Sequence, residues 1–124
     1  MAEQRRAEDL RTRTKKFALR IVALVSALPR TMVASVLGKQ LLRCGTSVAA
    51  QYREACRARS QAEFVSKVES ALQEMDETAY WLELLAESEV VAADRLHPLR
   101  AEADELAAIL VASVRTAKSR QGRI

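Results

Sequence analysis

The sequence predicts an all-α protein, an antiparallel up-down-up-down four-helix bundle, and three observations support this prediction. The chain of 124 residues contains only 3 Gly and 2 Pro, and aromatic residues make up 4%, a composition typical of long helices. Apolar residues recur at helical spacing in four segments. The breaks between these segments are short, so consecutive helices must run antiparallel.

We expect one domain over residues 1–124, because a chain of this length buries one core. A basic extension is expected over about residues 1–9 and a frayed basic tail over about residues 119–124.

The first helix is predicted from about Leu10 to Leu28, since Pro29 disfavours helical backbone in the residue before it. Thr31 is suited to cap the second helix, which should end near Arg59. The predicted core positions of these two helices are Leu10, Phe17, Ile21, Leu24, Leu28, Val33, Leu37, Leu41, Cys44, Val48, Tyr52 and Ala55.

The segment Ser60-Gln61-Ala62-Glu63 is a capping box that predicts the start of the third helix, which should end between Ser88 and Ala93. Asp94 should start the fourth helix, with Pro98 tolerated in its first turn. The predicted core positions of these helices are Phe64, Val68, Ala71, Leu72, Met75, Ala79, Leu82, Leu85, Leu99, Ala103, Leu106, Leu110, Val114 and Ala117.

Polar residues recur every seven positions on the second and third helices. A tight turn near Ser60 joins two antiparallel helices, so residues equally far from the turn, whose numbers sum to about 121, should lie at the same height. The polar residues of the two helices should therefore form a shared ladder. Its members are Gln40, Arg43, Ser47, Glu54, Lys67, Glu74, Glu77 and Trp81. We interpret the ladder as a structural network of paired, half-buried charges; the alternative is a ligand-binding or catalytic crevice.

Charge is divided unevenly along the chain. Residues 1–60 hold 13 Lys and Arg against 4 acids, and residues 61–114 hold 3 against 12. The basic side of one copy can therefore meet the acidic side of another in a head-to-tail contact. In an antiparallel bundle the start of the first helix and the end of the fourth share one end, so their basic patches should coalesce.

This coalesced patch predicts a surface that contacts nucleic-acid phosphates. The candidate contacts are Arg11, Arg13, Lys15, Lys16, Arg20, Arg115, Lys118 and Arg120. A second stripe, suited to phosphates or to an intersubunit contact, comprises Arg43, Arg53, Arg57 and Arg59. The alternative is ordinary solubilising surface charge.

Patterns for catalysis and cofactors are lacking, so we predict no enzyme activity, no metal and no cofactor. The single histidine, His97, stands beside Pro98, and no Cys-x-x-Cys or glycine-rich phosphate loop occurs. Cys44 and Cys56 lie about 18 Å apart if they share a helix, too far for a disulfide. Arg20 interrupts the apolar run near the N-terminus, so we expect a soluble cytoplasmic protein without a membrane span.

The order and spacing of several short segments resemble the 23S rRNA-intervening sequence protein family of bacterial four-helix bundle proteins. The resemblance spans nearly the whole chain, from Phe17 to Lys118. The segments that carry it are Gln40-Leu41-Leu42-Arg43, Thr46-Ser47-Val48-Ala49-Ala50, Glu54-Ala55, Glu63-Phe64, Lys67, Glu74, Glu77-Thr78 and Tyr80-Trp81-Leu82. The resemblance implies a homopentameric ring, a basic surface suited to nucleic acid, and no established enzymatic activity. A related branch serves as the accessory protein of diversity-generating retroelements, where it partners a reverse transcriptase.

These observations lead to one functional hypothesis and one alternative. The hypothesis is a non-catalytic homo-oligomer that binds RNA or DNA through the phosphate backbone. The resemblance implies that the oligomer is a homopentamer, and a further expectation is that it acts as an accessory to an RNA or reverse-transcriptase machinery. The alternative is a protein-interaction or assembly scaffold without a nucleic-acid role.

Overall fold

The predicted four-helix bundle is confirmed. The computed structural model describes residues 2–121 and, within them, the side chains of residues 5, 7 and 9–120. Four helices account for most of this part of the chain: α1 (Ala2–Ser26), α2 (Met32–Cys56), α3 (Gln61–Glu87) and α4 (Ala93–Gln121). The connections span residues 27–31, 57–60 and 88–92, short enough to keep neighbouring helices antiparallel.

The helices pack in chain order around the core. α2 lies between α1 and α3, and α3 lies between α2 and α4. α1 and α4 meet along a much shorter stretch, whereas α1 and α3 occupy opposite corners of the bundle. The most deeply buried side chains include Phe17, Ile21, Leu41, Met75, Leu82, Leu106 and Leu110.

The predicted caps of α2 and α3 are present. The Thr31 hydroxyl accepts a hydrogen bond from the Ala34 N–H at 3.1 Å, and the Ser60 hydroxyl accepts one from the Glu63 N–H at 3.0 Å. The Glu63 carboxylate accepts a bond from the Arg59 N–H at 3.0 Å, one residue before the cap. Each cap satisfies an amide that the first turn leaves without a helical partner.

Several boundaries differ from the sequence predictions. α1 starts eight residues before Leu10, and α4 is helical through Gln121, so most of the expected N-terminal extension and the first part of the expected tail continue their helices. The rest of that tail, residues 122–124, lies outside the described residues. α2 ends at Cys56 rather than near Arg59, and Pro98 lies in the second turn of α4 because that helix starts at Ala93.

The predicted core is correct for α4, where all six positions are buried and Leu96 joins them. It is wrong for Val33, which is 55% exposed whereas the next residue, Ala34, is buried, so Val33 lies on the outward side of the first turn of α2. Val65 and Thr78 are buried on α3, whereas the predicted Phe64, Leu72 and Ala79 are half-buried. The inward face of α3 is therefore rotated slightly from the predicted stripe.

Candidate nucleic-acid interface

One end of the bundle collects cationic side chains from three helices and a turn. This end carries the start of α1, the turn between α2 and α3, and the end of α4. We call the following residues the basic end: Arg5, Arg11, Arg53, Arg57, Arg59 and Arg115. All are exposed, and none forms an ion pair within the described residues.

The relative heights of the helices bring these residues together. Gly45 of α2 abuts Ile21 of α1, and counting outward along antiparallel helices places Arg11 at the height of Ala55, within one helical turn of Arg53. Tyr52 agrees with this register: burial raises the pKa of its phenol, and the nearby positive charge of Arg11 partly opposes that shift. The first and second helices thus present these cations within one helical turn of each other.

Three of the acidic side chains at this end have partners, whereas Asp9 is exposed without an ion pair within the described residues. The Glu54 carboxylate accepts from Lys67 Nζ at 3.1 Å, and the Glu69 carboxylate accepts from Lys118 Nζ at 3.3 Å. Glu63 serves the cap of α3 through the Arg59 amide. These three carboxylates are bonded to groups other than the guanidinium groups of the basic end.

The structure divides the predicted phosphate contacts. Arg13 bridges to α4, where its guanidinium donates to Glu102 at 2.7 and 3.3 Å and lies 3.5 Å from Glu105. The hydrogen bond to Glu102 raises the pKa of Arg13. Arg13 and Lys118 are thus both paired with carboxylates of the protein, Arg13 in a half-buried pair and Lys118 in an exposed one.

The other predicted contacts lie at different heights. Lys15, Lys16 and Arg20 are exposed without ion pairs among the described residues, but they run up the outside of α1 towards its middle and second half. Arg115 of the basic end and the neighbouring Arg120 line a shallow depression of about 370 Å³ with Thr116 and Ser119.

The second predicted stripe is also divided. Arg43 donates to Glu77 at 2.6 Å and to Glu74 at 3.3 Å, whereas Arg53, Arg57 and Arg59 belong to the basic end. A second shallow depression of similar volume there is lined by Glu54, Arg57, Arg59, Glu63 and Lys67. In the sequence this stripe is separate from the patch formed by the start of the first helix and the end of the fourth. The count of residues from the turn that places Glu54 beside Lys67, if extended to all four helices, places both sets at the same end of the bundle.

The polar ladder is more exposed than expected, but only in part: Gln40, Arg43, Glu54 and Glu77 are exposed, and Ser47, Lys67, Glu74 and Trp81 are half-buried. The Arg43 side chain is 52% exposed, and hydrogen bonding to Glu77 raises its pKa. Ser47 donates to the Arg43 carbonyl of its own helix at 2.7 Å, and Gln40 is exposed. Because water competes with exposed ion pairs, the ladder contributes little to stability.

Trp81, the last member of the ladder, is half-buried and packs edge-on against Tyr80 with ring centroids 5.1 Å apart. Its indole N–H is buried without an acceptor among the described residues. The two depressions described above lie at the basic end, away from Trp81. The geometry therefore gives no support to a ligand crevice at this seam.

The groups needed for metal or nucleophilic chemistry are dispersed. Between residues 2 and 121, no group of three or more His, Cys, Asp or Glu side chains is placed to hold a metal ion. Cys44 is buried, and burial raises the pKa of its thiol; Cys56 and His97 are exposed. Among the described helices, none is both long and apolar enough to cross a membrane.

The fold and the basic end define a small four-helix bundle protein with a cationic surface at one end. A family model for the 23S rRNA-intervening sequence protein matches residues 8–112, and the chain belongs to this family. It is similar to a protein of unknown function from the S23 ribosomal protein family of Bacteroides thetaiotaomicron VPI-5482. The identity is 35% and the TM-score 0.83, and the match covers 88% of this chain and 97% of that one. No curated protein matches the chain.

Proposed function

We propose that this protein is a non-catalytic, homo-oligomeric bundle that binds RNA or DNA through the phosphate backbone, with the basic end as its binding surface. The observation that carries the proposal is the set of guanidinium groups, unpaired within the described residues, that converge there from α1, α2, α4 and the turn after α2. Guanidinium groups match phosphate geometry and release condensed counterions when they bind a nucleic acid.

The aromatic side chains favour recognition of the backbone rather than of bases. Among the described residues, Tyr52 near this end is buried and Phe64 is half-buried, while Tyr80 lies on the second half of α3. Stacking on single-stranded bases needs exposed rings. We therefore expect discrimination by charge and shape, with weak dependence on sequence.

The proposal includes a homopentameric, cytoplasmic protein that accompanies an RNA or reverse-transcriptase machinery, as the family resemblance implies. A scaffold whose faces serve only assembly is the second candidate. The observation in its favour is that α1 and α3 expose apolar side chains, Leu19 at 58% and Tyr80 at 52%.

The test is fluorescence anisotropy with structured RNA, single-stranded RNA and duplex DNA across a salt series. In the variant Arg53→Glu/Arg57→Glu we expect affinity to fall at least about tenfold near 0.1 M salt. The slope of log K against log salt should fall by about 0.7–0.9 for each phosphate that the variant no longer neutralises.

The matched control is Arg30→Glu/Lys39→Glu, which makes the same change in net charge in the half of the bundle away from the basic end. Its affinity should stay within about threefold of the original chain. Equal weakening in both variants would show that net charge alone drives binding. No binding by the original chain at low salt would leave the assembly scaffold as the better function.

A further inference from the structure

Two long stretches of the sequence each contain charges of one sign only. No Asp or Glu occurs between Asp9 and Glu54, and no Lys or Arg occurs between Lys67 and Arg95. Most of α1 lies in the first stretch, and most of α3 lies in the second. The outer surfaces of these two helices are therefore of opposite charge.

The outer face of α1 combines exposed apolar side chains with a basic rim. Leu19 is 58% exposed and Val22 is 41% exposed, while Lys15, Lys16 and Arg20 are exposed and have no ion pair within the described residues. Residues 15, 19 and 22 follow the spacing of one helical face. We call these five residues the α1 face.

The outer face of α3 is the acidic counterpart. Tyr80 is 52% exposed, and Asp76, Glu83 and Glu87 surround it at four residues before and three and seven residues after. These carboxylates are exposed and form no ion pair within the described residues. We call these four residues the α3 face.

We infer that the α1 face of one copy docks on the α3 face of a second copy of this chain. Each face has an apolar centre and a charged rim without internal partners, and the rims are opposite in sign, so contact would bury the centres and neutralise both rims. Like faces would instead place like charges together, which opposes a symmetric two-fold contact.

The positions of the faces decide the type of assembly. α1 and α3 stand at opposite corners of the bundle, so a copy can use both faces at once and the contact is head-to-tail. Such contacts generate closed rings, or filaments where the rotation does not close. This inference rests on the homo-oligomer of the proposed function and does not depend on nucleic-acid binding.

The experiment uses two variants, each blocked on one face, studied alone and mixed. The α1-face variant is Lys16→Glu/Leu19→Asp, and the α3-face variant is Tyr80→Lys/Glu83→Lys. All four positions are exposed, and circular dichroism verifies the helical fold. Light scattering after size exclusion should give a multiple of 13.8 kDa for the original chain and 13.8 kDa for each variant alone.

The mixture distinguishes a head-to-tail contact from every symmetric one. The first variant keeps the α3 face and the second keeps the α1 face, so an equimolar mixture should give a heterodimer of about twice 13.8 kDa that grows no further. The controls Lys39→Glu and Asp104→Lys, at exposed positions outside both faces, should keep the original mass.

Three outcomes would overturn the inference: a monomeric original chain, either blocked variant keeping the original mass, or a mixture that stays monomeric. None of these bears on phosphate binding, since the anisotropy test of Arg53→Glu/Arg57→Glu scores that function separately. If that variant loses RNA binding and keeps the original mass, the two surfaces are independent.

Discussion

At the scale of single residues, glycine sets how closely α1 and α2 approach. A Cβ at Gly45 would lie 2.9 and 3.0 Å from Ile21 Cγ1 and Cγ2, and Ile21 is completely buried. A Cβ at Gly38 would lie 2.9 Å from Cδ1 of Leu28, the far end of a flexible, half-buried side chain, and 3.4 Å from Val25 Cγ1, which is an ordinary contact. The two positions are otherwise matched, because both lie inside α2.

We expect Gly45→Ala and Gly38→Ala to change stability in opposite directions. Alanine favours a helix by about 1 kcal/mol over glycine, and this gain should dominate at Gly38. At Gly45, crowding against a β-branched buried residue costs about 1–3 kcal/mol, so we expect a net destabilisation of about 1 kcal/mol. Urea unfolding at unchanged m-value measures both; an equal gain in both variants would contradict the close contact.

At the scale of residues, the ion pairs between helices were predictable from the sequence, but the solvent exposure of the side chains was not. Counting from the turn at Ser60 places Glu54 beside Lys67 and Arg43 near Glu77, and the structure contains both pairs. Whether a side chain at the edge of a helix-helix contact is exposed to solvent depends on how both helices are rotated about their axes. The neighbours of Val33 and Arg43 in space, which decide their burial, are not readable from their own helix.

At the scale of helices, α1 is attached unequally to its two neighbours. It packs closely along α2, but it meets α4 over a short stretch, where Arg13 bonds Glu102 and lies close to Glu105. α3, in contrast, packs extensively on both sides. Local opening should therefore be easier for α1 than for α3.

Hydrogen exchange followed by mass spectrometry should show faster exchange for amides in residues 10–20 than for those in residues 71–82. Arg13→Met should accelerate exchange in α1 by roughly threefold, because it removes the main polar tie to α4. The matched variant Arg43→Met, which removes the tie between α2 and α3, should leave α1 unchanged. Uniform protection of all four helices would contradict unequal attachment.

Helix existence and caps were predictable, whereas the outer ends were not. Thr31 and Ser60 cap as expected because their side chains act on amides three residues away. The start of α1 has no equally clear local signal. Residues 2–9 contain charged residues compatible with a helix or with a loose extension, so periodicity of apolar residues missed the first two turns.

At the scale of the whole molecule, basic and acidic side chains are separated between helices and also between the two ends of the bundle. The basic end gathers guanidinium groups, whereas the exposed acids Glu83 and Glu87 lie on the second half of α3, towards the other end. Simple counts along the sequence predicted the first separation. The second required the heights of all four helices.

If copies join through the α1 and α3 faces, several basic ends become available to one nucleic acid. We expect the uncharged double variant Leu19→Ser/Tyr80→Ser to be monomeric and to bind a long RNA at least about tenfold more weakly than the original chain. On an RNA short enough to occupy one copy, the two proteins should bind alike. If the variant and the original chain bound the long RNA equally well, each copy would bind RNA independently of the others.

The order of contacts along the chain also bears on folding. α1 with α2, α2 with α3 and α3 with α4 are all neighbours in sequence, an arrangement of local contacts that favours rapid folding. The bond between Arg13 and Glu102 instead joins residues 89 positions apart, at opposite ends of the order of helices. During synthesis it cannot form until most of the chain has left the ribosome, so the first helix packs on the second well before it can contact the fourth.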